Sequence, residues 1–173
     1  VLGTRNVVSA CLECGVRRLV HVSSIHAMEW DSLAESGDEI NPQVRSKSHR
    51  TYSYSKAAGE LEVQRGIAKG LDAVILKPTG IIGPYDFKPS YFGRAILAFA
   101  QGKIPALVRG GFDWVDVRDV VAGMITAQQY APSGSSYILS GHWRSVQAVA
   151  DQVAALTGVP APRIVVPLWA AYL

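Results

Sequence analysis

The chain has 173 residues, of which 49% are hydrophobic and 18% charged, with 17 basic and 14 acidic side chains. This composition is that of an ordinary globular protein and excludes disordered and collagen-like architectures. The net charge of +3 is spread along the chain, which argues against nucleic acid as a partner. No stretch approaches the roughly 18 apolar residues of a membrane span, and the first residues lack a signal-peptide layout. We therefore expect a cytoplasmic protein with no membrane partner.

Hydrophobic periodicity and Gly or Pro boundaries predict an alternation of helices and strands along the chain. Alternation of this kind favours a parallel α/β sheet, and the length favours one domain. A sharp turn is predicted through Pro78, Gly80, Gly83 and Pro84. The predicted helices are 4–14, 52–69, about 89–101, 119–130 and 146–156, and the predicted strands are 18–22, 72–77, 106–108, 114–117, 137–140 and 163–166.

A long polar stretch, 25–50, separates the first strand from the second helix. Connections of this length in compact domains usually serve a functional site. His26, Glu29 and Trp30 follow the strand directly. They are candidates to line a substrate pocket, and an equally open alternative makes them ordinary surface loop residues.

Ser24, Tyr52 and Lys56 form the most informative group of polar residues. Ser24 ends a predicted strand, where ligands of open α/β sheets bind. Tyr52 and Lys56 are four residues apart and so share one face of a helix. A phenol has a pKa of about 10, and a cation within about 4–6 Å favours its ionised form. These residues could polarise a carbonyl group and relay a proton.

The spacing of Tyr52 and Lys56 does not decide this interpretation. With seven tyrosines in the chain, a Tyr followed by Lys at the fourth position arises often by chance. The alternative is a packed Tyr52 beside a solvated Lys56. Tyr54 is a rival phenol, but its offset of two from Lys56 places it near the opposite face of the helix.

Four segments resemble the extended short-chain dehydrogenase/reductase family, also called the NAD-dependent epimerase/dehydratase family. In chain order they are RRLVHVSS (17–24), TYSYSKAAGE (51–60), LKPTGIIGPYDFKPS (76–90) and WVDVRDVVAGM (114–124). Within the family, the third segment and GGFDWVDVRDVV look most like the dihydroflavonol 4-reductase branch. The resemblance implies a partial doubly wound, Rossmann-type parallel sheet with part of a small C-terminal substrate-binding region, at roughly 84–112 and 141–173.

The same resemblance implies roles for particular residues. Ser24 is expected to be the catalytic serine, Tyr52 the general acid/base, and Lys56 the residue that binds the nicotinamide ribose and tunes the tyrosine. Residues 78–81 are expected to line the nicotinamide, and Ser90 resembles a later cofactor-contacting serine. Without the resemblance, Pro78, Gly80 and Gly83 indicate only a tight turn. The expected cofactor is NADP or NAD, and the reductase branch favours NADP. The residues expected to contact it in this stretch are Pro78, Thr79, Gly80 and Ile81.

The sequence also departs from the family. It contains no G-x-G-x-x-G or G-x-x-G-x-x-G turn, which in the family holds the cofactor pyrophosphate. The segment VLGTRNV (1–7) resembles the helix before the serine-bearing strand, which implies strands and helices upstream of Val1. We therefore expect a fragment that is inactive by itself.

Two other patterns suggest metal or redox sites. Cys11 and Cys14 form a C-x-x-C, but no second pair exists, and two small core residues are the favoured interpretation. Asp113, Asp116 and Asp119 are spaced by three. We expect Asp116 to end a strand and Asp119 to begin a helix, and we predict no metal site.

Three functions follow as hypotheses. The leading one is an NAD(P)-dependent oxidoreductase that reduces a ketone or aldehyde on a small, fairly apolar substrate. The second is nucleotide-sugar epimerisation or dehydration. It ranks lower because 83–111 lacks an obvious cluster of Arg and aromatic residues for a diphosphate and a base, with Arg94 and Arg109 as its only arginines. The third is a binding or sensor module that has lost catalysis. A homodimer is left open.

Overall fold

The computed structural model describes residues 1–29, 43–44 and 51–167. Within these residues each predicted helix and strand is present, two strands at Gly80–Ile82 and His142–Ser145 were not predicted, and a 3₁₀ turn spans Ile25–Ala27. The helices are α1 (Leu2–Glu13), α2 (Thr51–Ile67), α3 (Tyr91–Ala100), α4 (Val117–Tyr130) and α5 (Val146–Thr157). The strands are β1 (Leu19–Val22), β2 (Ala73–Pro78), β3 (Gly80–Ile82), β4 (Ala106–Val108), β5 (Gly111–Asp116), β6 (Ser136–Leu139), β7 (His142–Ser145) and β8 (Ile164–Val166).

The chain divides into two compact units. The first unit contains Val1–Thr79 and Asp119–Leu139, and the second contains Gly80–Arg118 and the chain from Ser140 onward. The ranges expected to bind substrate, 84–112 and 141–173, fall in the second unit, although 168–173 lie outside the described residues. Their role, and the expectation of one domain, stay predictions.

The first unit is built on a parallel sheet in the order β1-β2-β6. Every residue of β2 is buried, and alternate side chains of this strand face opposite sides. Ala73 and Ile75 pack with residues of α1 and α2, whereas Val74 and Leu76 pack with residues of α4. Helices on both faces of a parallel sheet confirm the predicted α/β, doubly wound architecture.

Arg18 fastens α4 to this sheet. Its Nε donates to Asp72 Oδ2 at 2.8 Å, and its Nη1 donates to the carbonyl oxygens of Ala127, Gln128 and Ala131 at 3.2, 3.2 and 2.8 Å. These carbonyls lie at the end of α4, where a cation complements the helix dipole. The hydrogen bond from Arg18 is the main cause that lowers the pKa of Asp72.

The second unit contains a β3-β5-β7 sheet and a β4-β8 pair. Strand β3 runs parallel to β5, and β7 runs antiparallel to it. The core residues Phe99, Leu107 and Ala150 join α3, β4 and α5.

The sharp turn predicted through 78–84 was wrong for residues 80–82, which form β3. Gly80 is needed because a Cβ there would lie 2.9 Å from the Asp113 carbonyl oxygen on β5. The chain turns after β3 instead, where Gly83 has φ +140° and Tyr85 has φ +71°. Glycine at 80 therefore serves close strand packing, and glycine at 83 serves the turn.

The cysteine interpretation was half correct. Cys11 is buried in the core with Val8 and Val63, but Cys14 is exposed at the end of α1. Asp116 ends β5 and Asp119 lies in the first turn of α4, as predicted. Across residues 1–29, 43–44 and 51–167, no three His, Cys, Asp or Glu side chains are grouped to hold a metal ion. In the same residues, no helix has the length and apolar character to cross a membrane.

Candidate functional site

Ser24 lies at the carboxyl end of β1 and begins the 3₁₀ turn. The residue is buried, and its Oγ accepts a hydrogen bond of 3.2 Å from the backbone N–H of His26. The hydroxyl proton of a serine can still be donated when the oxygen accepts. The fold thus places a hydroxyl donor at the strand end where the sequence predicts one.

Tyr52 and Lys56 lie on the first two turns of α2. Tyr52 is 54% exposed, so a ligand can reach its phenol. The Lys56 Nζ is 5.8 Å from the centroid of the Tyr52 ring and donates to the Val22 carbonyl oxygen at 3.4 Å. Lys56 therefore connects the tyrosine to the end of β1.

The turn after Ser24 also contacts the tyrosine. The His26 ring meets the Tyr52 ring edge-on, with centroids 5.9 Å apart. Ala27 of the same turn is buried with Ala57 of α2, and Tyr54 packs against that cluster. Tyr52 thus lies beside Lys56 and the turn that Ser24 begins, whereas Tyr54 packs against Ala27 and Ala57. Glu29 and Trp30 were also candidates to line a substrate pocket. Glu29 is among the described residues and Trp30 lies outside them, so their role stays a prediction.

His21 lies on β1, close to the charge of Lys56. Its Nε2 is buried and has no hydrogen-bond partner among the described residues. Burial, and next the positive charge of Lys56, lower the pKa of His21. The imidazole is therefore neutral near neutral pH, and Lys56 supplies the positive charge beside Tyr52.

A buried ion pair, which sequence reasoning missed, joins α2 to β2. Lys77 Nζ lies 3.6 Å from Glu60 Oε2, and both side chains are almost fully buried. Lys77 also donates to Ser136 Oγ at 2.9 Å, and Gln43 Nε2 donates to Glu60. A signal was present in the sequence, because Glu60 follows Tyr52 by eight residues and Lys56 by four, and so shares their helix face.

The segment expected to line a nicotinamide begins at the end of β2. Pro78 pairs with Leu139, and Thr79 directs its N–H and its Oγ1 to the Leu139 carbonyl oxygen at 3.1 and 3.3 Å. Gly80 and Ile81 belong to β3 in the second unit, which is an edge strand of the sheet in the described part of the chain.

The residues of the first unit fit a nicotinamide nucleotide. An ammonium has three donor hydrogens, and Lys56 directs one to Val22. With the accessible phenol of Tyr52 on the same helix face, it offers polar groups suited to the hydroxyls of a ribose. The family resemblance implies ribose binding for Lys56, and it implies that Tyr52 contacts the cofactor as well as acting as the general acid/base.

Ser90 lies in the second unit and caps α3. Its Oγ accepts from the backbone N–H of Gly93 at 3.0 Å, while both carboxylate oxygens of Asp86 accept from the Ser90 N–H at 3.0 and 2.8 Å. The expected contact of Ser90 with a cofactor stays a prediction. These residues border a cavity of about 540 Å³, lined by Ile81, Ile82, Gly83, Pro84, Tyr85, Asp86, Pro89, Ser90, Gly93, Ile96, Leu97 and Val117.

Comparison with known protein families gives a match over most of the chain. The model of the NAD dependent epimerase/dehydratase family matches residues 1–139. That range contains Ser24, Tyr52, Lys56 and the whole stretch from Pro78 to Ser90.

Individual proteins are also similar to this chain. A protein named "Sterol demethylase protein B" from Methylococcus capsulatus is 38% identical, over 96% of this chain and 51% of its own length. A "Putative dihydroflavonol 4-reductase" from Synechocystis is 36% identical, over 98% of this chain and 50% of its own length. The chain thus spans about half the length of these curated relatives. The crystal structure of UDP-glucose 4-epimerase from Thermus thermophilus in complex with NAD has a TM-score of 0.77 and 27% identity, over 96% of this chain and 57% of that one.

Proposed function

The chain belongs to the NAD dependent epimerase/dehydratase family, and from that membership we propose that its protein reduces a ketone or aldehyde on a small apolar substrate with NAD(P)H. The observation that carries the proposal is the cluster at the end of β1. There Lys56 lies 5.8 Å from the Tyr52 ring, and the turn begun by Ser24 contacts the same ring through His26.

Each residue of the cluster has a role in this proposal. When bound, the nicotinamide supplies the hydride that adds to the carbonyl carbon. Tyr52 donates its phenolic proton to the carbonyl oxygen, and Ser24 donates a hydrogen bond to the same oxygen, which stabilises the charge that develops on it. Lys56 binds the ribose and keeps a positive charge beside Tyr52. The product is an alcohol, and the tyrosine recovers its proton from solvent.

The preference for NADP over NAD belongs to the proposal as well. The family is NAD-dependent by description, and the resemblance to dihydroflavonol 4-reductases, with a relative of that name at 36% identity, favours NADP.

A second candidate is nucleotide-sugar epimerisation. The solved UDP-glucose 4-epimerase with bound NAD favours it, at 27% identity. The cavity of the second unit argues against epimerisation of a nucleotide sugar, because its lining contains one carboxylate and no Lys or Arg. A nucleotide diphosphate needs compensating positive charge.

Cofactor stoichiometry separates these functions. The full-length natural protein would be incubated with NADPH or NADH and a panel of aryl ketones, aliphatic ketones and UDP-sugars, with absorbance followed at 340 nm and products by mass spectrometry. Reduction predicts one nicotinamide oxidised for each alcohol formed. Interconversion of a UDP-sugar without net oxidation would replace the proposal by the second candidate, and bound cofactor without turnover would replace it by a sensor module.

A further inference from the structure

We propose that the cavity of the second unit binds an uncharged, predominantly apolar ligand, and that Asp86 excludes anionic ones. The volume of about 540 Å³ lies within the range of about 300–1,000 Å³ that is typical of small-molecule sites. The claim that this ligand is the substrate rests on the proposed function. The claim that the cavity binds such a ligand does not.

The lining of the cavity is apolar with one charge. The aliphatic residues of the lining include Ile81 and Ile82 of β3 and Ile96 and Leu97 of α3, and Asp86 is its charged residue. Apolar walls with a few polar groups favour ligands that bury hydrophobic surface.

The Asp86 carboxylate occupies the place where an anionic ligand would otherwise bind. The N-terminus of a helix attracts anions through its unpaired N–H groups, and α3 begins beside the cavity. Here the N–H of Ser90 already donates to both oxygens of Asp86, and that of Gly93 donates to Ser90 Oγ. A Cβ at position 93 would collide with the Asp86 carboxylate, so glycine there leaves room for it.

Nearby cations do not offset this charge within the cavity. Arg94 directs its Nη1 to the Pro89 carbonyl oxygen at 3.1 Å. Arg118, next to the lining residue Val117, forms a close ion pair with Asp116. Lys88 is exposed in the loop and is not part of the lining. A phosphate or carboxylate entering the cavity would therefore meet Asp86 without a lining cation.

Tyr85 supplies a second, independent sign of a binding site. Among the described residues it is the one other than glycine with a positive φ, +71°, a backbone conformation that is unfavourable for a tyrosine. Strained residues of this kind persist at ligand sites where the surrounding structure fixes them. Tyr85 lines the cavity and is 76% exposed, so its ring is placed to cover an apolar ligand.

Aromatic packing joins α3, which lines the cavity, to β5. Phe92 of α3 packs edge-on against Trp114 and Phe112 of β5, with ring centroids 4.6 and 5.0 Å apart. Such aromatic contacts stabilise the packing of α3 against its sheet.

Paired ligands test the proposal by equilibrium dialysis on the purified full-length natural protein. We use 2-acetonaphthone, which is uncharged, and 6-acetyl-2-naphthoate, its anionic counterpart. The native chain should bind the ketone at least about tenfold more tightly, because a like charge in the site penalises the carboxylate. Asp86→Asn keeps an acceptor for the Ser90 N–H, and should reduce that ratio to below about threefold.

Two further variants complete the test. Tyr85→Gly should weaken ketone binding about tenfold through loss of the ring, with an unchanged or higher melting temperature, since glycine accepts the positive φ. Asp151→Asn removes the same charge from α5 outside the cavity, and should leave the ratio as in the native chain.

The proposal is overturned if the native chain binds both ligands equally or neither up to millimolar concentration, if Asp86→Asn leaves the ratio unchanged, or if UDP displaces the ketone. Because no step measures turnover, these results are distinguishable from a failure of the proposed reduction.

Discussion

Asp116 is the residue whose titration the structure perturbs most clearly. Hydrogen bonds from the Arg118 side chain, and next from its backbone N–H, lower the pKa of this carboxyl to about 2 from 3.8. Because the pKa of Asp116 is lower in the folded than in the unfolded state, the ionised carboxylate stabilises the fold. This stabilisation is fully present above about pH 4 and is lost as the pH falls towards 2.

Replacing the guanidinium should restore an ordinary titration. Arg118→Gln is expected to move the Asp116 pKa back towards 3.8, its ordinary value, with the backbone N–H still holding it somewhat below. Carboxyl ¹³C shifts recorded by NMR against pH measure this directly, with Arg118→Lys as the variant that keeps the charge. An Asp116 pKa that stays near 2 in Arg118→Gln would show that the side chain is not the cause.

The candidate site could be predicted from sequence only in part. The position of Ser24 after β1 and the shared face of Tyr52 and Lys56 follow from hydrophobic periodicity, and their proposed roles follow from the family resemblance. The contact between His26 and Tyr52 could not be predicted, because it depends on a 3₁₀ turn that brings two distant segments together. The proposed roles of Asp86 and Tyr85 could not be predicted either, because the loop after Gly83 and Pro84 shows no hydrophobic periodicity.

At the scale of elements, the pair of Glu60 and Lys77 fixes α2 against β2. An ion pair this buried contributes little by itself compared with apolar residues, but removal of one partner leaves an uncompensated charge. This asymmetry makes the pair a sensitive test of how α2 is held.

Lys77→Met should therefore lower the free energy of unfolding by about 3–5 kcal/mol. The double variant Lys77→Met/Glu60→Leu removes both charges and should recover most of that loss. Urea unfolding followed by circular dichroism measures both. A loss of less than about 1 kcal/mol in the single variant would mean that Glu60 is solvated or protonated rather than paired.

The elements that sequence reasoning missed were short and lacked the usual patterns. Strand β3 begins with a glycine and lies between Pro78 and Pro84. Its pairing with β5 stabilises it, rather than the intrinsic strand propensity of its residues. Strand β7 has the sequence HWRS and three exposed residues, so no alternation marks it. In contrast, β2 begins with a continuous apolar run at 73–76 and every residue of the strand is buried, and its prediction was correct within one residue.

At the scale of the whole molecule, the two units carry different functions in the proposal. The first unit holds the parallel sheet with Ser24, Tyr52 and Lys56, and the second holds the cavity beside Asp86. The alternation of predicted helices and strands indicated the α/β class, but it could not show this division, because both units mix helices and strands. The chain spans about half of its curated relatives, so the activity of the protein is tested in its full-length natural form.

The central claim is that Tyr52 transfers the proton during carbonyl reduction, and a matched pair of variants tests it most directly. In the full-length protein, Tyr52→Phe should lower kcat for ketone-dependent NAD(P)H oxidation by about 10²–10⁴-fold, the usual contribution of a general acid. Tyr54→Phe, which removes the same hydroxyl two residues away where the side chain packs against Ala27 and Ala57, should stay within a few fold. Near-native turnover by Tyr52→Phe would contradict the account.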